Sequence, residues 1–263
     1  PLMASFDHIL VSSDDNISTV TLNRPGKLNA LNRLAWEELA GVFTELNDLG
    51  SVRCIIVRGA GGKAFSAGAD ISEFSDERSN VVQATAYGGI VEAAINTIVE
   101  GPHPTIALVE GACVGGGLEI ACACDIRICS ESSRFGIPVS RLGLTMAYPE
   151  LQALLSVVAS PVAKEILFSG ELFGAQRAAA VGLVNRVVAD DLVQQEAYAL
   201  ATRVAKGAPL VNRWHKKFIR RLADSKPLTN EEVRESYEAF GTKDFRRGYR
   251  AFLGKTDPDF EGN

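Results

Sequence analysis

The sequence predicts an α/β protein in two parts, an alternating core over residues 1–195 and a helical lobe over residues 196–263. Three observations carry this. Strand-like and helix-like segments alternate through the first part, two strand-to-helix junctions are rich in glycine, and beyond Asp190 every segment reads as helix. Composition agrees: of 263 residues, 46% are hydrophobic and 22% charged, values of an ordinary globular chain rather than a disordered, collagenous or coiled-coil one.

The elements follow in order. Pro1-Leu2 ahead of Met3 read as leftover residues before a native start at Met3. Ile17–Leu22 alternates with period two and ends at the turn signal Asn23-Arg24-Pro25-Gly26. Asn32 to Leu46 carries Leu34, Leu39, Val42, Phe43 and Leu46 at helical spacing. Cys54–Val57 reads as a buried strand, followed by the turn Gly59-Ala60-Gly61-Gly62-Lys63 and the segment Ala64 to Phe74. Asp76 to Val82 is polar and reads as a mobile lead into a helix ending at Val99. Thr105–Glu110 is a strand, Gly115–Gly117 open a short apolar helix through Cys124, and Ile126–Cys129 is strand again. Ser160-Pro161 reads as N-cap and first helical residue, and Leu183–Val188 as the last strand. The lobe holds helical stretches at 190–206, 208–224, 230–240 and 243–253, with Thr229 and Glu232 placed for a capping box. No repeat is visible by identity.

Charge and rare residues exclude several functions. With 27 Lys and Arg against 32 Asp and Glu, the net charge is −5, which argues against a nucleic-acid binder held by phosphate neutralisation. The densest basic stretch, Arg213 to Arg221, is helically spaced and reads as a solvated face. The five cysteines (Cys54, Cys113, Cys122, Cys124, Cys129) are odd in number and sit among apolar residues, as buried thiols of a reducing compartment do. Cys122-Ala123-Cys124 is not a zinc spacing, and only three histidines exist, so no metal site is expected. No leader and no run of 18 apolar residues is seen, so the expectation is a soluble cytoplasmic protein without membrane partners.

The two glycine junctions hold the chemistry. Phe65-Ser66-Ala67-Gly68-Ala69-Asp70-Ile71 is built of small residues that let a ligand approach the main chain and its N–H donors. Gly115–Gly117 place a helix N-terminus, with free N–H groups and a positive dipole end, at the second junction. Two such donors converging on one point make an oxyanion hole; two tight turns with no such role are the alternative. Glu119 lies in the first turn of that apolar helix. Desolvation there raises a carboxyl pKa and suits it to acid–base work, unless the residue is paired with Arg127 or Arg134. No Gly-x-Ser-x-Gly elbow and no His-Glu-x-x-His is present. The partial phosphate-loop match at Gly254-Lys255-Thr256 and the dinucleotide-like run at Gly59–Ala64 lack the required context.

Arg24-Pro25 with Leu28-Asn29-Ala30-Leu31, Phe65–Ile71, Gly115-Gly116-Gly117-Leu118-Glu119 and Cys124-Asp125-Ile126-Arg127 together resemble the crotonase (enoyl-CoA hydratase/isomerase) superfamily. The likeness extends through Gly182–Asn185 to the Phe252-Leu253-Gly254-Lys255 tail. It implies a spiral of ββα units with a C-terminal helical trimerisation lobe, packed as a homotrimer or dimer of trimers. It implies an acyl-CoA thioester as substrate, with coenzyme A arriving on the substrate and no separate cofactor. The resemblance puts the oxyanion-hole amides at Ala67 and Gly116 and the water-holding glutamate at Glu119. Coenzyme A contacts would come from Ala67, Gly68, Ala69, Asp70 and Ile71, from Leu28, and from Lys255 with Phe252 beside it, often in a neighbouring subunit. Lys27 would add positive charge, although the usual lysine falls one position earlier, at Gly26.

One departure bears on the reaction. Family hydratases use a second glutamate, and alignment through Phe135-Gly136-Ile137-Pro138 puts Val139 there. The glycine-rich segment that normally follows is replaced by Leu144–Leu151, where Pro149 starts a helix, so the pocket floor must differ. The expectation is a hydratase-like lyase, slow on simple substrates, with Glu131, Glu150 or another carboxyl to be sought in place of the missing one. The alternatives are a Δ3,Δ2-enoyl-CoA isomerase, a thioester decarboxylase or hydrolase using Arg141, and a non-catalytic acyl-CoA binding protein.

Overall fold

Two sheets are built as the chain passes from a strand of one to a strand of the other. A computed structural model describes residues 6–263; the start read at Met3 lies outside the described residues. Strands β1 (Ile9–Asp14), β2 (Ile17–Leu22), β3 (Cys54–Gly59), β5 (Thr105–Val109), β7 (Ile126–Ser130) and β10 (Arg186–Val188) form a sheet in the order β1-β2-β3-β5-β7-β10. Only the β1–β2 hairpin in it is antiparallel. A smaller sheet holds β4 (Ala64–Ser66), β6 (Ala112–Val114), β8 (Arg134–Gly136) and β9 (Phe173–Gly174) in that order.

Three strands of the large sheet, β3, β5 and β7, are each followed by one of the small sheet and then by helix. Thus β3–β4 leads into α2 (Phe74–Glu77) and α3 (Val81–Glu100), and β5–β6 into α4 (Gly116–Ala123). Strands β7–β8 lead into α5 (Tyr148–Leu155) and α6 (Ser160–Ser169). This is the expected spiral of ββα units, a repeat of shape that leaves no trace in residue identity. Helix α1 (Arg33–Asp48) precedes it, α7 (Ala175–Ala180) sits between β9 and β10, and the chain closes with α8 (Val193–Lys206), α9 (Pro209–Leu222), α10 (Asn230–Glu235) and α11 (Lys243–Gly254).

The large sheet is covered on both faces, which explains why its parallel strands are continuously apolar. Ile55, Val57, Ala107 and Val109 face the main core with Trp36, Leu39 and Phe43 of α1 and Val91 and Ile95 of α3. Cys54, Ile56, Ile106, Leu108 and Ile128 face the other way, against Val193, Ala197 and Ala201 of α8. The division expected after residue 195 therefore falls inside α8, a helix whose small apolar stripe is committed to the sheet.

Several local readings change. Helix α1 buries Ala35, Trp36, Leu39, Val42, Phe43 and Leu46, while Leu34 faces solvent; Asn32 caps the helix by accepting the Ala35 N–H at 3.0 Å. The polar stretch after Phe74 contains a helical turn, α2, before Asn80 caps α3. Ala159, not Ser160, precedes α6 as its cap residue, with no side-chain bond; Pro161 occupies the first turn as expected. The Thr229–Glu232 capping box is present. All five cysteines are buried free thiols; burial pushes Cys54, Cys122, Cys124 and Cys129 up to about 12 and Cys113 well above its usual range, so none is a thiolate nucleophile. Among the described residues there is no candidate metal cluster and no helix long and apolar enough to cross a membrane.

Candidate active site

The two glycine junctions meet. Gly68 has φ +95°, and a Cβ placed on it would lie 2.8 Å from the Val114 carbonyl oxygen and 3.4 Å from the Gly116 nitrogen. Gly115 adopts φ +52° and ψ −123° at the start of α4, a backbone that favours glycine. A Cβ on Gly117 would sit 2.6 Å from the Ser66 carbonyl oxygen. These contacts interlock the end of β4 with the start of α4 at main-chain distance.

The first turn is pinned from behind by the 24–31 segment. Leu28 and Asn29 take left-handed conformations, at φ +51° and +56°. The Asn29 amide nitrogen donates to the Ala60 and Ala64 carbonyls, and the Ser66 hydroxyl donates to the Asn29 carbonyl. Leu31 N–H donates to Gly68 O, and Asp70 N–H to Leu31 O.

This bracing corrects one assignment. The Ala67 N–H donates to the Leu28 carbonyl at 2.9 Å and is not available to a substrate. The Gly68 N–H is likewise engaged, with the Ser66 hydroxyl at 3.1 Å. The Ala69 N–H has no acceptor among the described residues, nor has the Gly116 N–H at the start of α4. Ala69, Gly116 and Glu119 line one pocket, walled by Trp36, Phe74, Val91, Val139, Leu142 and Met146. Ala69 and Gly116, on the two glycine junctions, are thus open amides of that pocket.

Glu119 is only 8% exposed, and its carboxyl makes no ion pair or hydrogen bond among the described residues. Arg127 and Arg134 are spent elsewhere. Arg127 donates to the carbonyls of Leu183, Ala121 and Cys124, and Arg134 to those of Ser132 and Ser133. Burial, reinforced by the Glu150 charge and eased by Arg78, pushes the Glu119 carboxyl up to about 8. Glu150 and Arg78 line the same pocket. Arg78 is stacked between rings, 4.7 Å from the Phe74 centroid and 4.8 Å from that of Tyr87.

The other expected contact residues divide. Gly68, Ala69 and Ile71 line the pocket, and Ala67 does so with its N–H turned into the protein. The Asp70 side chain is structural: it accepts from Ser72 N–H and Oγ, from Arg24 at 2.9 Å, and pairs with Lys27 at 3.7 Å. Hydrogen bonding by Ser72, with Arg24 next, holds its carboxyl down to about 2. A group depressed in this way contributes stability that is complete above pH ~4 and is lost as the pH falls toward 2. Asp70→Asn should therefore melt below the wild type at pH 7, with the gap closing by pH 2, as read by thermal melts across that range. Leu28 touches the site through its carbonyl, and Lys27 lies beyond the pocket lining. Phe252 is 83% exposed and Lys255 caps α11 in a left-handed turn; neither reaches the pocket within one chain. Arg78, whose signal was only a charge in a polar stretch, is the site residue the sequence reading left out; of the two carboxyls named as candidates for the missing one, Glu150 lines the pocket and Glu131 does not.

Comparison with known proteins follows the same lines. A family model described as enoyl-CoA hydratase/isomerase matches residues 12–263. A short-chain-enoyl-CoA hydratase of Clostridium acetobutylicum is 33% identical over 95% of each chain. A crotonyl-CoA hydratase of Syntrophomonas wolfei is 30% identical, over 97% of this chain and 98% of the relative. The crystal structure of an enoyl-CoA hydratase/carnithine racemase from Magnetospirillum magneticum is similar throughout, with a TM-score of 0.97 and 46% identity over 98% of this chain and 97% of that one.

Proposed function

Since the chain belongs to the enoyl-CoA hydratase/isomerase family of the crotonase superfamily, we propose that it is a lyase adding water across the double bond of a 2-enoyl-CoA thioester. The observation that carries this reading is the pair of open main-chain donors, Ala69 and Gly116, in one pocket with an unpaired, buried Glu119.

The thioester carbonyl oxygen is placed between those two N–H groups. As the water oxygen bonds to C3, the double-bond electrons move toward C2 and the carbonyl, and the negative charge on oxygen is met by donors already in place. One such donor is worth about 3 kcal/mol of barrier. The Gly116 N–H adds the positive end of α4. Glu119, protonated at neutral pH because its carboxyl sits at about 8, is the proton-transfer group next to C2. Val139 presents only methyl groups to the pocket where the family resemblance calls for a second carboxyl.

Ala67, Gly68, Ala69, Asp70 and Ile71 border the coenzyme A path, with Lys27 and Leu28 behind them. Phe252 and Lys255 reach it from a neighbouring copy in a homotrimer or dimer of trimers. That arrangement is supported by the exposed apolar residues Ile219, Leu222, Tyr237, Phe240 and Leu253 on the last helices.

Incubation with crotonyl-CoA in H₂¹⁸O should give 3-hydroxybutyryl-CoA carrying one ¹⁸O, read by mass spectrometry. An isomerase would instead convert 3-enoyl-CoA to 2-enoyl-CoA with no label. A binding protein would hold the thioester unchanged.

A further inference from the structure

Hydration needs a base for water and an acid for C2. Glu119 alone would have to be both. Val139 lies on the turn Pro138–Leu142 and lines the pocket, but carries no proton. The chain then enters α5, whose first turn is Tyr148-Pro149-Glu150, with Pro149 setting the helix start. Helices α4 and α5 pack together, and the Glu150 side chain lines the pocket that Glu119 lines. Its Oε2 accepts the Ala147 N–H at 2.6 Å, half of a capping arrangement, while Oε1 has no partner among the described residues.

Resting on the hydratase reading above, the geometry points to Glu150 as the second catalytic carboxyl, supplied by α5 in place of the one absent at Val139. The altered segment then relocates a proton-transfer group instead of deleting it. The slow turnover expected of a one-carboxyl site no longer follows.

The charges assign the roles. Glu119 and Glu150 line the pocket together with one cation, Arg78; Tyr87, beside Arg78, is pushed up to about 12 and stays neutral, and among the described residues no Lys or His lines the cavity. One cation balances one carboxylate, so the pair retains a proton. Burial raises both groups and Arg78 eases both, but the Ala147 N–H favours ionised Glu150, whereas Glu119 has no hydrogen bond among the described residues to stabilise its anion. In the addition, Glu150 carboxylate takes one proton from water as the water oxygen bonds to C3. The double-bond electrons pass through the enolate held by Ala69 and Gly116, and Glu119 gives its proton to C2. One water is consumed, and the carboxyl pair ends with the single proton it began with, moved from Glu119 to Glu150.

The test compares Glu150→Gln and Glu119→Gln on crotonyl-CoA, with kcat and KM measured across pH. Glutamine at position 150 keeps the cap on Ala147, so α5 remains formed. We expect Glu150→Gln to lose roughly 10²–10⁴ in kcat with little change in KM. It should also lose the acid limb of the pH profile while keeping the alkaline limb set by Glu119. If Glu150→Gln keeps wild-type kcat and both limbs while Glu119→Gln is inactive, Glu150 has no catalytic part and the hydratase reading stands without it. If both variants turn over normally, the hydratase reading fails and takes this proposal with it.

Discussion

Glu119→Gln is expected to lose roughly 10²–10⁴ in kcat on crotonyl-CoA and, in alkaline buffer, to melt above the wild type. The first effect follows, on the proposed hydration, from removing the proton donor to C2. The second follows from burial. The folded carboxyl sits at about 8 against an ordinary 4.5, so the fold favours the protonated form. The contribution of Glu119 to stability is then fully present below pH ~4.5 and is lost as the pH rises through 8, where a carboxylate must exist in an apolar pocket. Each unit of such a shift corresponds to about 1.4 kcal/mol, so the penalty at pH 9 is on the order of a few kcal/mol. Glutamine has no ionisation and avoids it. Melting temperatures at pH 5 and pH 9, set beside kcat, check both: a variant that is inactive but no more stable at pH 9 would mean the carboxyl is better solvated than its surroundings indicate. The residue that does the chemistry is, on these terms, a liability to the fold.

Gly68→Ala should cost about 10²–10³ in kcat and about 1–3 kcal/mol of stability. The added Cβ meets the Val114 carbonyl oxygen at 2.8 Å, and the φ of +95° is strained for alanine. Relief requires the 66–70 turn to move away from α4, which separates the Ala69 and Gly116 amides. Gly88→Ala is the matched control. A Cβ there meets nothing within 4 Å in the interior of α3, so it should gain up to about 1 kcal/mol with activity unchanged. Thermal melts and steady-state kinetics on the two variants read both effects. Wild-type kcat in Gly68→Ala would show that the two turns do not hold the reacting oxygen.

The strands were legible where burial is uniform. Ile17–Leu22 and Cys54–Val57 follow from alternation and continuous apolarity, and both are strands. Glu119 stood out as a charge in an otherwise apolar turn, and it is buried and unpaired as that setting implies. Which amide of the 66–70 turn stays open was not legible. Ala67 and Ala69 are the same residue type two apart, and what separates them is the Leu28 carbonyl, set by a left-handed turn distant in sequence that captures one amide and leaves the other. Glu150 was visible only as one of several acidic residues near the altered segment; its place depends on how α5 packs on α4. The partner of α8 was not legible, because an amphipathic helix reads the same whether its apolar stripe meets a sheet, as Val193, Ala197 and Ala201 do, or other helices.

The interlocked glycine turns have a genetic consequence. Of the twenty residues only proline deletes a peptide N–H, so the open amides of Ala69 and Gly116 persist through nearly any replacement of the surrounding side chains. Under the proposed hydration, selection can rewrite the wall from Val139 to Glu150, and with it the acyl group accepted and the route of the proton, while both main-chain donors stay in place. New reactions in such a scaffold begin from a partly working catalyst.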